Sequence, residues 1–262
     1  MYGAIIGDIL GSKYEFHNIK TKNFKLFDED MFYTDDTVMT CAVCTTLLDY
    51  FPITESIKKW YRRYPDESYG THFRAWVEGG CKGISHSMGN GSAMRISPVG
   101  MCAENEEDVR RISRKLTMCS HSHPDGMKGA EATAMMVYLA RNGWTKDDLE
   151  RRFHEDYYAQ KPDLDALRND TTYWGEMCYN TVPQAMECFF RSVSFEDCMR
   201  NCISIGGDSD TIGAIAGGVA EAYYGVPAPF LVRLGHYLSH EILDVLELFY
   251  RRYGDDNWRV TE

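Results

Sequence analysis

Positive charge is scarce in this chain. Its 262 residues hold 28 Lys and Arg against 39 Asp and Glu, a formal net charge of −11 at pH 7. Nucleic acids and anionic lipid surfaces are held by basic patches that release counterions, so neither a nucleic-acid surface nor a membrane-binding face is expected. A small anionic ligand is still allowed, because a local metal or a ring of backbone amides outweighs the global field. Long apolar runs are missing as well. The small-residue stretch TIGAIAGGVA ends at Glu221 and is far too short to span a bilayer. The opening MYGAIIGDILG lacks a basic start, is interrupted by Asp8 and shows no clear cleavage site, so it does not read as a targeting segment. Sustained strand alternation, internal repeats, low-complexity tracts and Pro/Gly/Ser linkers are also absent. The expectation is one domain spanning residues 1–262.

Cysteine is not scarce, but its nine copies are odd in number and scattered. They read as reduced core thiols of a cytoplasmic protein rather than a disulfide scaffold. Cys41 and Cys44 form a C-x-x-C inside a helical pattern with no second pair at zinc spacing, which reads as helix packing.

The rest of the chain reads as helix after helix. Val109, Ile112 and Leu116 repeat at three and four residues, giving one apolar face. MKGAEATAMMVYLAR stops at Asn142-Gly143, and SFEDCMRNCISI opens on Ser194 with Asp197 three residues later, a capping-box pattern. Two further helices fill PAPFLVRLGHYLSHEILDVLELFYRRYG. Residues 159–176 are the most loop-like segment. The fold class expected is all-α, a compact single-domain helical bundle.

Two acidic clusters punctuate this pattern, TDDT at residues 34–37 and GDSDT at 207–211, each before an apolar stretch. In the simpler reading Thr34 or Asp35, and Asp208 or Asp210, cap helices. Capping explains one acid per helix and leaves the second as added repulsion. A hard cation relieves that repulsion, and Asp and Thr oxygens suit Mg²⁺, Mn²⁺ or Ca²⁺ better than zinc. Familiar aspartate motifs fail: a prenyl-transfer DDxxD meets Met39, an EF-hand loop from Asp208 meets Val219 where Glu is required, and CISIGG is too weak a strand for a phosphatase DxD.

Small residues give the next clue. Gly213, Ala214, Ala216, Gly217, Gly218 and Ala220 crowd one helix, and Gly3, Ala4, Gly7 and Gly11 another. Interior glycine costs about 1 kcal/mol relative to alanine, so these helices are expected to cross closely and bring the acidic clusters together. Residues 87–100, SMGNGSAMRISPVG, place Gly89, Asn90 and Gly91 where positive φ would make an anion nest. His121 and His123 of CSHSHPDG are expected to end a helical stretch.

GDILGSKYEF, FYTDDT, GNGSAMRISPVG, SHSHPDGMKGA and GGDSDTIGAIAGGVAEAYYG together resemble, in this order, the ADP-ribosylglycohydrolase family. That resemblance covers nearly the whole chain. It implies a compact all-α domain with two divalent cations, Mg²⁺ or Mn²⁺, that hydrolyses the bond between ADP-ribose and an acceptor. The acceptor is an ADP-ribosylated protein or a small ADP-ribose conjugate. By the same resemblance Thr34, Asp35 and Asp36 are the first metal-ligand triplet and Asp208, Asp210 and Thr211 the second. Ser87, Gly89, Asn90 and Gly91 hold the diphosphate and inner ribose, His121 lines the cleft, and Glu15 closes over the metals. Asp35, Asp36 and Asp210, with Glu15, are the candidate catalytic groups. A non-catalytic ADP-ribose-binding relative and a metal-dependent nucleotide phosphohydrolase are the alternatives. Acceptor identity and oligomeric state stay open, and Tyr223, Tyr224, Phe249 and Tyr250 suit core or interface equally.

Overall fold

Glycine decides the centre of the fold. The computed structural model describes residues 1–172, 175–254 and 260–261, and fourteen α-helices occur among them. The first half supplies α1 (Tyr2–Ser12), α2 (Asp35–Asp49), α3 (Ile53–Arg63), α4 (Thr71–Glu78), α5 (Ser97–Cys102), α6 (Glu106–Thr117) and α7 (Pro124–Arg141). The second supplies α8 (Lys146–Asp156), α9 (Leu164–Asn169), α10 (Cys178–Phe190), α11 (Phe195–Ser204), α12 (Ser209–Tyr224), α13 (Ala228–Leu234) and α14 (His240–Tyr253). Strand among the described residues is a parallel pair of two-residue segments, β1 (Val226–Pro227) and β2 (Val260–Thr261). The fold is all-α.

Helices α1 and α12 cross antiparallel with their backbones in contact. A Cβ on Gly7 would lie 2.0 Å from the Gly213 carbonyl oxygen, and one on Gly3 would lie 2.2 Å from that of Gly217. At the far end a Cβ on Gly11 would meet the Asp210 backbone at 2.4 Å, and Ser209 Oγ donates to the Gly11 carbonyl at 2.9 Å. This close crossing is the one the small-residue pattern predicts. Gly7→Ala is therefore expected to destabilise the protein by about 3 kcal/mol or more, whereas Gly70→Ala, with nothing within 4 Å of the added carbon, should unfold near the parent midpoint in urea. Equal midpoints would show that the crossing can open without cost.

Two acids on the central pair cap their neighbours. Glu221 of α12 accepts the Gly3 amide at 2.8 Å at the start of α1. Asp8 of α1, fully buried, accepts the Thr34 amide at 3.0 and 3.2 Å and the Thr37 amide at 3.0 Å, which ties the start of α2 to the same spine. The free amides of a helix start are thus satisfied from another helix.

α2, α5, α7, α10 and α11 pack around this spine. α6 follows its predicted face, with Val109 and Leu116 buried, and α7 stops at Asn142-Gly143 as expected. Ser194 caps α11 through the Asp197 amide. All nine cysteines are free, and Cys41 and Cys44 are buried on α2. Phe249 is buried, Tyr223 packs edge-on against Phe189, the Tyr224 hydroxyl donates to the Ser192 carbonyl, and the Tyr250 hydroxyl donates to Glu221, so all four late aromatics make contacts within the chain. No described helix is long and apolar enough to cross a membrane.

The loop expected over 159–176 needs correction: it contains α9, started by Asp163, whose carboxylate accepts the Asp165 and Ala166 amides. A helix of six residues is too short to show a period. Tyr173 and Trp174 of that segment lie outside the described residues.

Candidate active site

The crossing of α1 and α12 places the two acidic clusters side by side. Asp36 Oδ2 accepts from Thr34 Oγ1 and from Thr211 Oγ1, both at 3.4 Å, so the TDDT and GDSDT segments touch directly. The carboxylates form the floor of a cleft of about 660 Å³ that Asp35, Asp36, Asp208, Asp210 and Thr211 all line. Tyr69, Phe73, residues 87–91 and His121 line it as well, with half-buried Glu15 and exposed Phe16 at the rim. Thr34 lies beneath the floor, fully buried, where its Oγ1 caps α2 by accepting the Asp36 amide at 3.2 Å.

Capping accounts for the threonine and leaves the acids over. Thr34 is the side chain that caps α2, and Asp208 at the start of α12 makes no side-chain cap bond. Asp36 and Asp210 are each 3% exposed, and each has one buried carboxylate oxygen, Oδ1, with no hydrogen-bond partner. Glu15, Asp208 and Asp210 each bring a carboxylate oxygen to within 4.8 Å of the others.

Crowding of buried acids raises their affinity for protons. Burial is the largest cause throughout. It pushes Asp35 up to about 7, helped by the charges of Asp8 and Asp208, and Glu15 up to about 8, helped by Asp208 and Asp35. Asp36 and Asp210 are driven well above the carboxylate range by burial and then by neighbouring acids. Asp8 rises to about 6 by burial, opposed by its bonds from Thr37 and Thr34. Asp208 is also raised by burial, and the short bond from Asn90 opposes this.

The loop over residues 87–91 lines the cleft, but not as a nest. Gly89 has φ −62° and ψ 159°, residues Asn90–Ser92 form a 3₁₀ turn, and neither Gly89 nor Gly91 has positive φ. The Gly89 amide donates to Ser87 Oγ at 3.1 Å and the Asn90 amide to the Glu176 carbonyl at 2.9 Å, so both are satisfied within the protein. Close approach explains the glycine at 91, where a Cβ would lie 3.2 Å from His121 Nε2. The Asn90 side chain turns inward instead, donating from Nδ2 to Asp208 Oδ2 at 2.6 Å and to Thr181 Oγ1 at 3.2 Å. It orients an acid of the floor.

The histidines divide. His123 starts α7, its ring accepting the Asp125 amide, where it was expected to end a helical stretch. Pro124 fits the first position of that helix and explains the difference. His121 is buried, with Nδ1 2.9 Å from Ser120 Oγ. Ser120 Oγ already accepts from Arg95 Nη2 at 2.6 Å, and a guanidinium can only donate. The serine keeps a second lone pair, and its proton also has the Thr117 carbonyl at 3.5 Å, so the contact to Nδ1 fixes the ring's orientation, with Nε2 facing Gly91. Burial, then the Arg95 charge, hold His121 well below the usual histidine range, so the ring is neutral.

The sequence matches the ADP-ribosylglycohydrolase family over residues 1–257. The chain belongs to that family. ADP-ribosylhydrolase ARH3 of Mus musculus is 26% identical, over 86% of this chain and 82% of its own length. The ADP-ribosyl-dinitrogen reductase glycohydrolase of Rhodospirillum rubrum is 25% identical, over 92% and 90%. A solved structure described as an ADP-ribosylglycohydrolase-related protein complex superposes with a TM-score of 0.73 at 25% identity, covering 95% of this chain and 94% of that one.

As a member of the ADP-ribosylglycohydrolase family, the chain presents a floor that could hold hard cations. The donors are oxygens, the acids repel one another, and two buried carboxylate oxygens lack partners; each feature fits Mg²⁺ or Mn²⁺. Among the residues that escaped the sequence reading are Arg95 and Glu176, which line the cleft, and Asp8, fully buried and outside its lining. Asp8 was visible only as an acid interrupting an apolar helix. Arg95 is 1% exposed, with Nη1 unpartnered and its guanidinium carbon 5.7 Å from the Phe73 ring centroid. The charge inside AMRISPVG was its signal. Glu176 lines the cleft from the end of the segment read as a loop.

Proposed function

We propose that this chain is a metal-dependent hydrolase that cleaves the glycosidic bond between ADP-ribose and an acceptor, on a protein side chain or a small conjugate. One observation carries this reading: four aspartates from two remote segments share one cleft floor, with buried carboxylate oxygens left unpartnered. Its relatives' names support the substrate class, since they are hydrolases of ADP-ribosyl bonds.

Asp35, Asp36, Asp208 and Asp210, with Thr211 beside them, would hold two divalent cations, Mg²⁺ or Mn²⁺, while Thr34, outside the cleft lining, supports Asp36 in place of the ligand role expected of it. Such ions, when bound, supply charge stabilisation at the ribose and acidify water. The chain's own groups do the rest. Asn90 fixes Asp208, Asp8 fixes the start of α2, and the neutral His121 ring turns Nε2 toward a polar atom of the ligand. Glu15 at the rim, held protonated near neutrality by its burial and its acidic neighbours, is placed to carry a proton or to close over the floor. Tyr69 and Phe73 offer aromatic faces to a nucleoside.

Incubation with Mg²⁺ or Mn²⁺ and ADP-ribosylated arginine, ADP-ribosylated serine or O-acetyl-ADP-ribose tests the reading. Release of intact ADP-ribose is the expected result. Inorganic phosphate or AMP would make the protein a phosphohydrolase, and tight binding without turnover a silent relative. On the active substrate, Ser120→Ala should raise KM about fivefold, the worth of one hydrogen bond, with kcat near the parent value. An equal fall in kcat and kcat/KM would move His121 from binding into the chemical step.

A further inference from the structure

We propose that Glu150, His154 and Glu187 form a second metal site, structural in role, for a transition-metal dication of the zinc class. Nothing in the proposed catalysis uses these residues, and none of them lines the active-site cleft. Glu150 and His154 stand four residues apart on α8, one turn apart on one face. Glu187 faces them from α10. One ligand atom from each residue lies within 4.8 Å of the other two.

Two atoms point to an ion rather than to an ordinary polar cluster. Glu187 is 7% exposed, and its buried Oε2 has no hydrogen-bond partner. His154 Nε2 is also buried without one. His154 Nδ1 lies 2.7 Å from the Tyr158 carbonyl oxygen, which can only accept. The ring proton therefore sits on Nδ1, and Nε2 presents a bare lone pair to the glutamates. Lone pair and carboxylate cannot bond to each other, and no ion pair joins His154 to either glutamate within 4.0 Å among the described residues. A cation between them satisfies both. A histidine anchored through its other nitrogen by a backbone carbonyl is the arrangement that orients metal-bound imidazoles.

Neighbouring cations hold the far sides of the acids. Lys161 and Arg191 both donate to Glu150 Oε1, and Arg191 Nε donates to Glu187 Oε1 at 2.8 Å. These bonds orient both carboxylates and leave Glu187 Oε2 as the oxygen without a partner. Nitrogen beside oxygen selects zinc-class ions over Mg²⁺, in contrast to the oxygen-only floor of the cleft. A surface pocket of about 500 Å³ opens onto Glu150 and His154, which gives an ion a path in from solvent. The bound ion would clip α8 to α10.

The test uses the full chain, stripped with chelator and then held in excess Mg²⁺ so that oxygen-only sites are filled. Zn²⁺ titrated by calorimetry should bind with one equivalent and raise Tm, and Co²⁺ should give a visible absorption band. His154→Ala and Glu187→Gln should each weaken Zn²⁺ binding by at least about tenfold, and Glu150→Gln, at a more accessible position, serves if either fails to fold. Asp35→Asn should leave it unchanged. Unaltered Zn²⁺ binding in His154→Ala, loss in Asp35→Asn instead, or no Zn²⁺ binding by the parent in Mg²⁺ would each overturn the proposal.

Discussion

Asp210→Asn is expected to lower turnover by about 10³-fold or more while leaving the helical fold and its circular dichroism intact. Asp210 starts α12 directly over Gly11, and the amide has the shape of the acid it replaces, so the crossing is undisturbed. The change removes charge. Asp210 Oδ1 is a buried oxygen without a partner, surrounded by Asp208, Asp36 and Glu15. A cation bound there loses one of its few anionic ligands, and a neutral amide oxygen is a poor substitute. Stability should move the other way: without metal, the variant should melt at or above the parent temperature, because one of several mutually repelling acids has gone. Asp35→Asn should behave alike. Steady-state rates on an ADP-ribosylated substrate, with Tm measured in chelator, check both halves together. Rates within tenfold of the parent would remove Asp210 from the centre, and a collapsed fold would make its role structural.

What the chain disclosed before folding follows the range of the interactions concerned. The α6 face, the Asn142-Gly143 stop and the Ser194 cap are set within one or two turns, and each stands where the sequence places it. The pairing of TDDT with GDSDT was legible for a different reason. Glycines that weaken a helix need a close neighbour, and the two glycine-rich helices supply each other. Asp8 was not legible, because its partners Thr34 and Thr37 lie 26 and 29 residues away. Arg95 and Ser120 meet through tertiary packing, so the setting of the His121 ring could not be read from CSHSHPDG. Gly89 and Gly91 line the cleft without positive φ; at 91 the glycine leaves space beside His121, and at 89 beside Ser87 Oγ. Sequence shows that a glycine is required; only the packing shows why.

Chelation of the divalent ions is expected to abolish turnover and to reverse how stability responds to pH. In the metal-free protein burial raises Asp8 from 3.8 to about 6 and Asp35 to about 7, and Glu15 from 4.5 to about 8. Each group then holds its proton in the folded state at a pH where the unfolded chain has released it. The folded state binds more protons across that window, so its stability falls as pH rises. The proton-linked contribution is whole below about pH 4 and is lost progressively toward pH 8. A tenfold gain in proton affinity on folding is worth about 1.4 kcal/mol, and the fully buried Asp8 gains roughly a hundredfold. Mg²⁺ or Mn²⁺ competes with the protons on the floor acids, Asp35 among them, for the same oxygens and binds best when they have left. The rise in Tm on adding Mg²⁺ should therefore be small at pH 5 and several degrees larger at pH 8, and in Asp210→Asn it should nearly vanish. An increment independent of pH, or one that survives in Asp210→Asn, would place the ion somewhere other than this crowded floor.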